Sequence, residues 1–191
     1  MEVVLVRHGE TEWSRSGRHT GRTDVPLTDL GRHQAELLGR RLRGRSFALV
    51  LTSPLGRARE TCRLAGLGEG GLLRDELREW DYGEYEGITT PEIRSRRPDW
   101  FLWRDGCPGG ETAAEVGARA DRVVAELRAA GGDCAVFGHG HMLRVLAARW
   151  LGLPPGEGRL LGLSTATLSV LGYERETPVL WLWNETSHLA G

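Results

Sequence analysis

The sequence of 191 residues contains no lysine, because all 25 of its basic side chains are arginine. Asparagine is nearly absent too, occurring only at Asn184. We interpret this skew mainly as the result of genome composition or thermal adaptation. The lack of lysine still excludes a lysine Schiff base and a P-loop lysine. An anion site in this chain must therefore use arginine, whose planar fork matches phosphate and carboxylate oxygens.

Cysteine is scarce as well, and Cys62, Cys107 and Cys134 form no Cys-x-x-Cys pair. Neither a disulfide framework nor a cysteine-rich zinc site is indicated, so we expect reduced thiols and a cytoplasmic protein. Long apolar runs are missing. The first one, residues 3–6, is too short for a signal peptide or a membrane span, so we expect no targeting segment and no membrane partner.

The chain has almost no net charge, with 25 basic residues against 26 acidic ones and a formal charge of −1. This balance argues against a dedicated nucleic-acid binder or a binder of anionic membranes. Hydrophobic residues make up 40% and charged residues 27%, as in ordinary globular proteins. We therefore expect one domain over residues 1–191, whose function depends on local sites.

Strands and helices alternate in the pattern of the sequence. Strands are predicted at residues 2–6, 47–52, 135–137, 166–173 and 178–183. Helices are predicted after the capping box Thr112-x-x-Glu115 and over residues 141–150. Two more are predicted to begin after N-caps at Thr28 and at Ser53, the latter followed by Pro54. The helix after Thr28 is expected to carry an apolar side of Leu30, Ala35, Leu38 and Leu42. This alternation predicts an α/β protein, a three-layer α/β/α sandwich with a mostly parallel central sheet, and residues 80–110 are expected to form an irregular insertion near a site.

Two of the predicted strands end in a histidine followed by glycine, His8-Gly9 and His139-Gly140. In α/β sheets, ligands bind at the carboxyl ends of strands, so both histidines are expected to face one crevice. A single strand-end histidine is more often structural, which is how we interpret His19, His33 and His188. The neighbours of His8 and His139 favour a functional role.

Two arginines at predicted strand ends, Arg7 and Arg57, are suited to binding a phosphoryl group. Histidine can act as a nucleophile, and a phosphoryl transition state spreads negative charge over three oxygens that need fixed donors. Arg7 adjoins His8, and Arg57 lies near a predicted helix N-terminus, where anions are favoured. His139-x-His141 could suggest zinc, but no third ligand is evident, so we expect neither a metal nor a cofactor.

Four motifs along the chain carry a family resemblance. They are Arg7-His8-Gly9-Glu10-Thr11, Ser53-Pro54-Leu55-x-Arg57-Ala58-x-x-Thr61, Glu79-x-x-x-Gly83-x-x-Glu86-Gly87 and His139-Gly140. In this order and spread over nearly the whole chain, they resemble the histidine phosphatase superfamily, also called phosphoglycerate mutase-like. The resemblance implies the fold of that superfamily and the activity of a phosphatase.

The resemblance also implies roles for individual residues. His8 would be the phosphorylated nucleophile, Arg7, Arg57 and His139 would form the phosphate pocket, and Glu79 would be the general acid and base. Ser14, Thr20 and Gly21 match positions that contact phosphate in relatives, although many members have Asn where Ser14 stands. Glu10 and Glu86 are interpreted as structural.

Further segments narrow the resemblance to one branch. Residues 78–87 and 103–107 resemble the sedoheptulose-1,7-bisphosphatases and mycobacterial-type acid phosphatases. This implies a small phosphorylated sugar or polyol as the substrate partner, with Arg104, Glu111 and His141 as candidate substrate-binding residues. Glu111 belongs to the segment Gly110-Glu111-Thr112, which resembles a segment that faces the active site in relatives, but a helix cap at Thr112 would also explain it. Arg104 would alternatively only pack the insertion over the core.

Two other functions remain open at this stage. Phosphoglycerate mutases of this family carry a longer insertion than the 22 residues between Gly87 and Gly110, so we expect water rather than a second alcohol to accept the phosphoryl group. A phosphoprotein (phosphohistidine) phosphatase would use the same His8.

The late strands with Trp181 and Trp183 would form either a homodimer edge or part of the core.

Overall fold

The computed structural model describes residues 1–190, and a six-stranded sheet runs through it. The strands are β1 Val3–Arg7, β2 Leu49–Thr52, β3 Gly71–Leu73, β4 Cys134–Gly138, β5 Leu168–Glu174 and β6 Thr177–Glu185. Their order across the sheet is β3-β2-β4-β1-β5-β6. The first four in this order are parallel, whereas β5 is antiparallel to β1 and β6 is antiparallel to β5.

Seven α-helices of residues 1–190 cover the sheet and its loops. They are α1 Glu12–Ser16, α2 Asp29–Leu42, α3 Gly56–Leu64, α4 Thr90–Arg96, α5 Leu102–Asp105, α6 Ala113–Ala129 and α7 Gly140–Trp150. No helix among residues 1–190 combines the length and apolarity needed to cross a bilayer.

The helices lie on both faces of the sheet because the central strands are apolar on both sides. In β1, Val3 and Leu5 pack with α6 and α7, whereas Val4 and Val6 pack with α2 and α3. Successive side chains of a strand point to opposite faces, so one uninterrupted apolar run serves two helical layers. The predicted three-layer α/β/α sandwich with its mostly parallel sheet is confirmed.

Helix caps agree with the sequence at two of three predicted positions. Thr28 caps α2 through the N–H of Gly31, and Thr112 forms a capping box with Glu115 at α6. The cap predicted at Ser53 is wrong, since α3 begins at Gly56 after Leu55 and has no side-chain cap. The Ser53 hydroxyl is instead shared with another strand end, as described below.

Two further expectations differ from the structure. Leu30 was predicted on the apolar side of α2, yet it is 52% exposed, because the buried stripe of that helix is Gly31, Ala35, Leu38 and Leu42. The segment 80–110 was expected to be irregular, but it contains the short helices α4 and α5. Trp80 and Trp100 in this segment are fully buried and anchor it to the core.

Candidate active site

Three parallel strands end side by side and place the functional side chains. The N–H of His8 donates to the carbonyl of Gly138 at 3.1 Å, and the N–H of Ser53 donates to that of Phe137 at 3.0 Å. The residues that follow β1, β2 and β4 are thereby joined at one edge of the sheet. The rings of His8 and His139 lie 5.2 Å apart at an angle of 60°, so the two histidines lie side by side as predicted, although only His8 lines the cleft.

The His8 ring is held with one nitrogen free. Its Nδ1 lies 2.7 Å from the carbonyl oxygen of Gly9, which can only accept, so Nδ1 carries the proton. No hydrogen bond among residues 1–190 engages Nε2, and His8 lines a cleft. Burial lowers the pKa of His8 well below its ordinary value of 6.5, and the positive charges of Arg57 and Arg7 lower it further. His8 is therefore a neutral imidazole with an unprotonated Nε2.

His139 lies beside His8 and is completely buried. Its Nε2 is 2.7 Å from the hydroxyl of Ser53, while its Nδ1 has no partner among residues 1–190. Burial lowers the pKa of His139 well below the ordinary value, and the charge of Arg57 adds to the effect. His139 is thus a neutral group with unused hydrogen-bonding capacity at Nδ1.

The two predicted arginines are both fixed by backbone carbonyls. Arg7 donates through Nη1 to Leu163, and a Cβ at Gly140 would lie only 3.2 Å from the Arg7 guanidinium carbon, so glycine leaves room for this side chain. Arg57 is fully buried and donates to Thr20, Gly21 and Thr23, as detailed next. In each arginine Nε has no partner among residues 1–190.

A loop over residues 18–24 is clamped from two sides. Arg57 donates to the carbonyls of Thr20 and Gly21 at 3.0 Å and of Thr23 at 2.8 Å. The Glu86 carboxylate accepts the N–H groups of Gly21 and Thr23 at 2.9–3.0 Å. The expectation that the Gly21 N–H contacts phosphate is not supported, since Glu86 already occupies that donor.

Ser14 and Thr20 both line the cleft, as the sequence predicted. The Ser14 hydroxyl belongs to the capping box of α1, where it pairs with Thr11 at 2.9 Å. The Thr20 hydroxyl donates to the carbonyl of Arg18 at 3.1 Å. Both hydroxyls keep acceptor capacity toward the cleft, but their protons are used locally.

Glu79 is held at the N-terminus of α7. Its Oε1 accepts the N–H groups of Trp80 at 2.9 Å and Met142 at 2.8 Å, and its Oε2 accepts the N–H of His141 at 3.0 Å. Helix N-termini leave such donors free, and they favour a carboxylate. Glu79 is 7% exposed and lines the same cleft as His8.

The cleft has a volume of about 250 Å³ and a cationic, hydrogen-bonding lining. Besides residues already predicted, it is lined by Arg18, His19, Tyr82, Thr90 and Arg144. The sequence analysis identified none of these five as site residues and interpreted His19 as structural, and it also missed Gly17 and Leu163 in the lining. Arg144 lies three residues after His141 on α7, so helical spacing could have identified it. Its guanidinium lies 4.6 Å from the centre of the Trp103 ring.

Two of the predicted substrate-binding residues lie elsewhere. Arg104 is exposed and pairs with both carboxylate oxygens of Asp105 at 2.8–2.9 Å, which holds it outside the cleft lining. Glu111 binds Arg119 at 2.7–2.8 Å and accepts the N–H of Asp81 at 2.9 Å. It therefore braces the backbone near Glu79 instead of lining the cleft, whereas His141 does line it.

Metal ligation finds no support among residues 1–190, where no group of three or more His, Cys, Asp or Glu side chains is arranged to hold an ion.

Comparison with known proteins agrees with this geometry. The chain matches the description "Histidine phosphatase superfamily (branch 1)" over residues 3–186. It is 44% identical to an acid phosphatase of Mycobacterium tuberculosis over 97% of this chain and 93% of the relative. It is 40% identical to a sedoheptulose 1,7-bisphosphatase of Saccharomyces cerevisiae over 78% of this chain and 67% of that protein.

A solved structure is similar over the whole fold. A mycobacterial glucosyl-3-phosphoglycerate phosphatase, determined with VO3, superposes with a TM-score of 0.87 at 30% identity and covers 97% of this chain and 99% of its own. The sequence resemblance and its suggested branch are thus confirmed. The chain belongs to branch 1 of the histidine phosphatase superfamily and is an enzyme of the phosphatase type.

Proposed function

We propose that this enzyme hydrolyses phosphomonoesters of small metabolites through a phosphohistidine at His8. One observation carries the proposal. The three side chains packed around His8, namely Arg7, Arg57 and His139, each keep a buried polar atom without a partner among residues 1–190. Buried polar groups are nearly always hydrogen-bonded, so three unused ones around a neutral imidazole favour an anionic ligand with several oxygens.

In the first step, the lone pair of His8 Nε2 forms a bond to phosphorus as the bond to the ester oxygen breaks. The Nδ1–H of His8 stays hydrogen-bonded to the carbonyl oxygen of Gly9, and this bond stabilises the positive charge of the phosphorylated ring. Glu79 takes up a proton when the anionic phosphate ester binds beside it, because two neighbouring negative charges repel each other, and it gives that proton to the leaving alkoxide. Oε2 suits this role because it accepts only one N–H, that of His141, and keeps a lone pair.

In the second step, water attacks the phosphorus and the bond to Nε2 breaks. Glu79, now a carboxylate, takes a proton from that water, which restores its starting form and frees inorganic phosphate. Arg7 and Arg57 supply fixed positive charge near the oxygens in both transition states. Their anchoring on backbone carbonyls means that little reorganisation is needed when the charge develops.

The walls of the cleft favour a small substrate with a second anionic or polar group. Arg144 and Arg18 both line it, and the volume of about 250 Å³ suits a small molecule. We assign to Arg144 the role that the sequence suggested for Arg104. Relatives named for a sugar bisphosphate and for glucosyl-3-phosphoglycerate support sugar phosphates as the substrate class.

A screen of phosphorylated metabolites with phosphate release as the readout tests this function. We expect sugar phosphates to be turned over, and His8→Ala to reduce kcat by at least about a thousandfold, since the nucleophile is lost. His33→Ala, at an exposed histidine, serves as the matched control. Primer-dependent isomerisation of phosphoglycerate, or turnover of phosphohistidine proteins alone, would contradict the proposal.

The compartment and assembly remain predictions. All three cysteines are free and buried, which fits a reducing compartment such as the cytoplasm. Trp181 is 56% exposed on the edge strand β6, which keeps the homodimer prediction open to a measurement of mass in solution.

A further inference from the structure

We infer that Tyr82 holds His141 in the tautomer that carries its proton on Nε2, so that His141 donates a hydrogen bond to a hydroxyl oxygen of the substrate's alcohol portion. The inference rests on the proposed phosphomonoesterase function and names its substrate class as phosphate esters of polyhydroxy alcohols. It starts from one contact, in which the Tyr82 hydroxyl oxygen lies 2.6 Å from Nδ1 of His141.

The direction of this hydrogen bond follows from the surroundings of Tyr82. Its side chain is 2% exposed, and Nδ1 of His141 is the partner of its hydroxyl among residues 1–190. Were Nδ1–H the donor, the hydroxyl proton would be buried without an acceptor, and such an unsatisfied donor is costly. Tyr82 therefore donates to Nδ1, which leaves the proton of the neutral imidazole on Nε2.

Both groups remain neutral near pH 7. Burial raises the pKa of Tyr82 well above 10, and the Glu79 carboxylate raises it further. Burial lowers the pKa of His141 well below 6.5, with the charge of Arg144 as the next cause. The other charged or titratable groups facing the pair are Arg7, Arg57, His19 and Cys107.

The second ring nitrogen of His141 is open to the cleft. Nε2 makes no hydrogen bond among residues 1–190, it is not among the fully buried unpartnered atoms, and His141 lines the cleft with His8. The ring is packed edge-on against Trp103 at 5.3 Å and Trp80 at 6.1 Å. These contacts fix the plane of the ring, so Nε2–H is a positioned donor.

The other two histidines of the cleft have the opposite tautomer. Nδ1 of His8 pairs with the Gly9 carbonyl, and Nδ1 of His19 lies 2.8 Å from the carbonyl of Ile88. A carbonyl only accepts, so both rings present an unprotonated Nε2. His141 is thus the histidine of this cleft lining that is suited to donate to a neutral oxygen. Its backbone N–H donates to Oε2 of Glu79, the proposed proton donor to the leaving alcohol, so the residue lies near that alcohol in the proposed complex.

The tautomer is tested directly by long-range ¹H–¹⁵N spectra of the histidine-labelled protein at pH 7.5, assigned with His141→Gln. We expect a protonated Nε2 and an unprotonated Nδ1 in the wild type, and a mixture of tautomers in Tyr82→Phe. Tyr85→Phe, a Tyr→Phe change outside the cleft lining, should leave the spectrum of His141 unchanged. A protonated Nδ1 in the wild type would overturn the inference.

Substrate selectivity provides the second arm. We expect His141→Phe to lower the preference for glycerol 1-phosphate over n-propyl phosphate, as the ratio of kcat/KM values, by roughly fivefold to tenfold. Tyr82→Phe should lower this ratio less than His141→Phe does. His141→Gln should keep most of the wild-type ratio, because the glutamine amide N–H can donate in place of the imidazole. An unchanged ratio in His141→Phe would show that His141 does not donate to a substrate hydroxyl.

The two levels of the proposal fail differently. If no ester releases phosphate in a His8-dependent manner, the proposed function is wrong, and the spectra still decide the tautomer. If propyl phosphate is hydrolysed equally by all variants and glycerol 1-phosphate gains nothing from His141, the function stands and the role of His141 is wrong.

Discussion

At the scale of single residues, arginine does two different jobs in this protein. Arg57 and Arg119 use their forks to hold backbone carbonyls, the former on the loop over residues 18–24 and the latter at Glu76 and Arg78. Five donors in a rigid plane allow one side chain to do this and still present positive charge. Arginine therefore both fixes the backbone around the site and supplies its positive charge.

The charge of Arg57 adds to the effect of burial in lowering the pKa of His8. Arg57 is the largest cause after burial that lowers the pKa of His8, so removing its charge should raise that pKa. In Arg57→Met, a larger fraction of His8 would be protonated at acidic pH. We expect the acidic limb of the kcat/KM profile to move to higher pH, with a loss of about 10²–10³ in kcat/KM at neutral pH.

The control for this measurement is Arg104→Met, whose side chain is exposed and pairs with Asp105 outside the cleft lining. It should leave both the profile and the rate unchanged. An acidic limb that stays in place in Arg57→Met would mean that Arg57 does not set the protonation of His8.

The role of Glu79 depends on how poor the leaving group is. We expect Glu79→Gln to reduce kcat by about 10²–10⁴ for a sugar phosphate, because an alkoxide needs a proton to leave. For p-nitrophenyl phosphate, whose leaving phenolate is stable, the loss in phosphorylation rate should be much smaller. Equal losses for both substrates, measured by single-turnover kinetics, would argue that Glu79 acts by positioning alone.

At the scale of elements, the site depends on how closely α2 approaches the chain after β1. A Cβ at Gly31, in the first turn of α2, would lie 2.2 Å from the carbonyl oxygen of Glu10, and one at Gly9 would lie 2.2 Å from that of Gly31. The carbonyl of Gly9 is also the acceptor for His8 Nδ1. Helix packing and the orientation of the nucleophile are therefore linked.

Gly31→Ala should accordingly destabilise the fold and weaken catalysis together. We expect a loss of about 1–3 kcal/mol in the free energy of unfolding, measured by urea denaturation, because backbone atoms must shift. Gly70→Ala, where nothing lies within 4 Å of the added Cβ, is the matched control. Full stability and activity in Gly31→Ala would show that α2 can move without disturbing His8.

At the scale of the whole molecule, several histidines are held neutral in the folded state. Burial is the first cause that lowers the pKa of His8, His139 and His141 well below 6.5. The unfolded chain binds protons at these positions as the pH falls through about 6.5, whereas the folded chain does not. Stability is therefore present above the unfolded pKa and decreases as the pH falls below it.

We expect the free energy of unfolding to decrease between pH 7 and pH 5.5, with a slope of up to about 1.4 kcal/mol per pH unit for each histidine. Denaturation in urea at several pH values measures it. His141→Gln should reduce the slope. A stability that is constant over this window would contradict the buried neutral state.

Much of the fold follows from local patterns. The uninterrupted apolar run of β1, the Thr28 cap and the Thr112-x-x-Glu115 box each act over a few residues, so the sequence predicts them correctly. Ser53 was misread as a cap because its hydroxyl binds His139, which is 86 residues away. Long-range partners of this kind are invisible in a sequence window.

The same division applies to the site. His8, Arg7, Glu79 and His139 could be identified because each lies at a strand end or in a family motif. The structure places the first three in the lining of one cleft and buries His139 beside His8. Arg104 was predicted and Arg144 was missed, because a sequence does not show which side of a helix or loop faces the cleft. Arg104 pairs with its sequence neighbour Asp105 and lies outside the cleft lining, whereas the packing of α7 places Arg144 in that lining.

By itself, the sequence determined the layer architecture, the family and the chemical character of the site, because strand periodicity, caps and motif residues act locally. The tertiary structure alone decided which nitrogen of each histidine is free, which donors are already taken, and which arginine faces the cleft. Those properties depend on partners brought together from β1, β2, β4 and α7, and on the burial that keeps the imidazoles neutral.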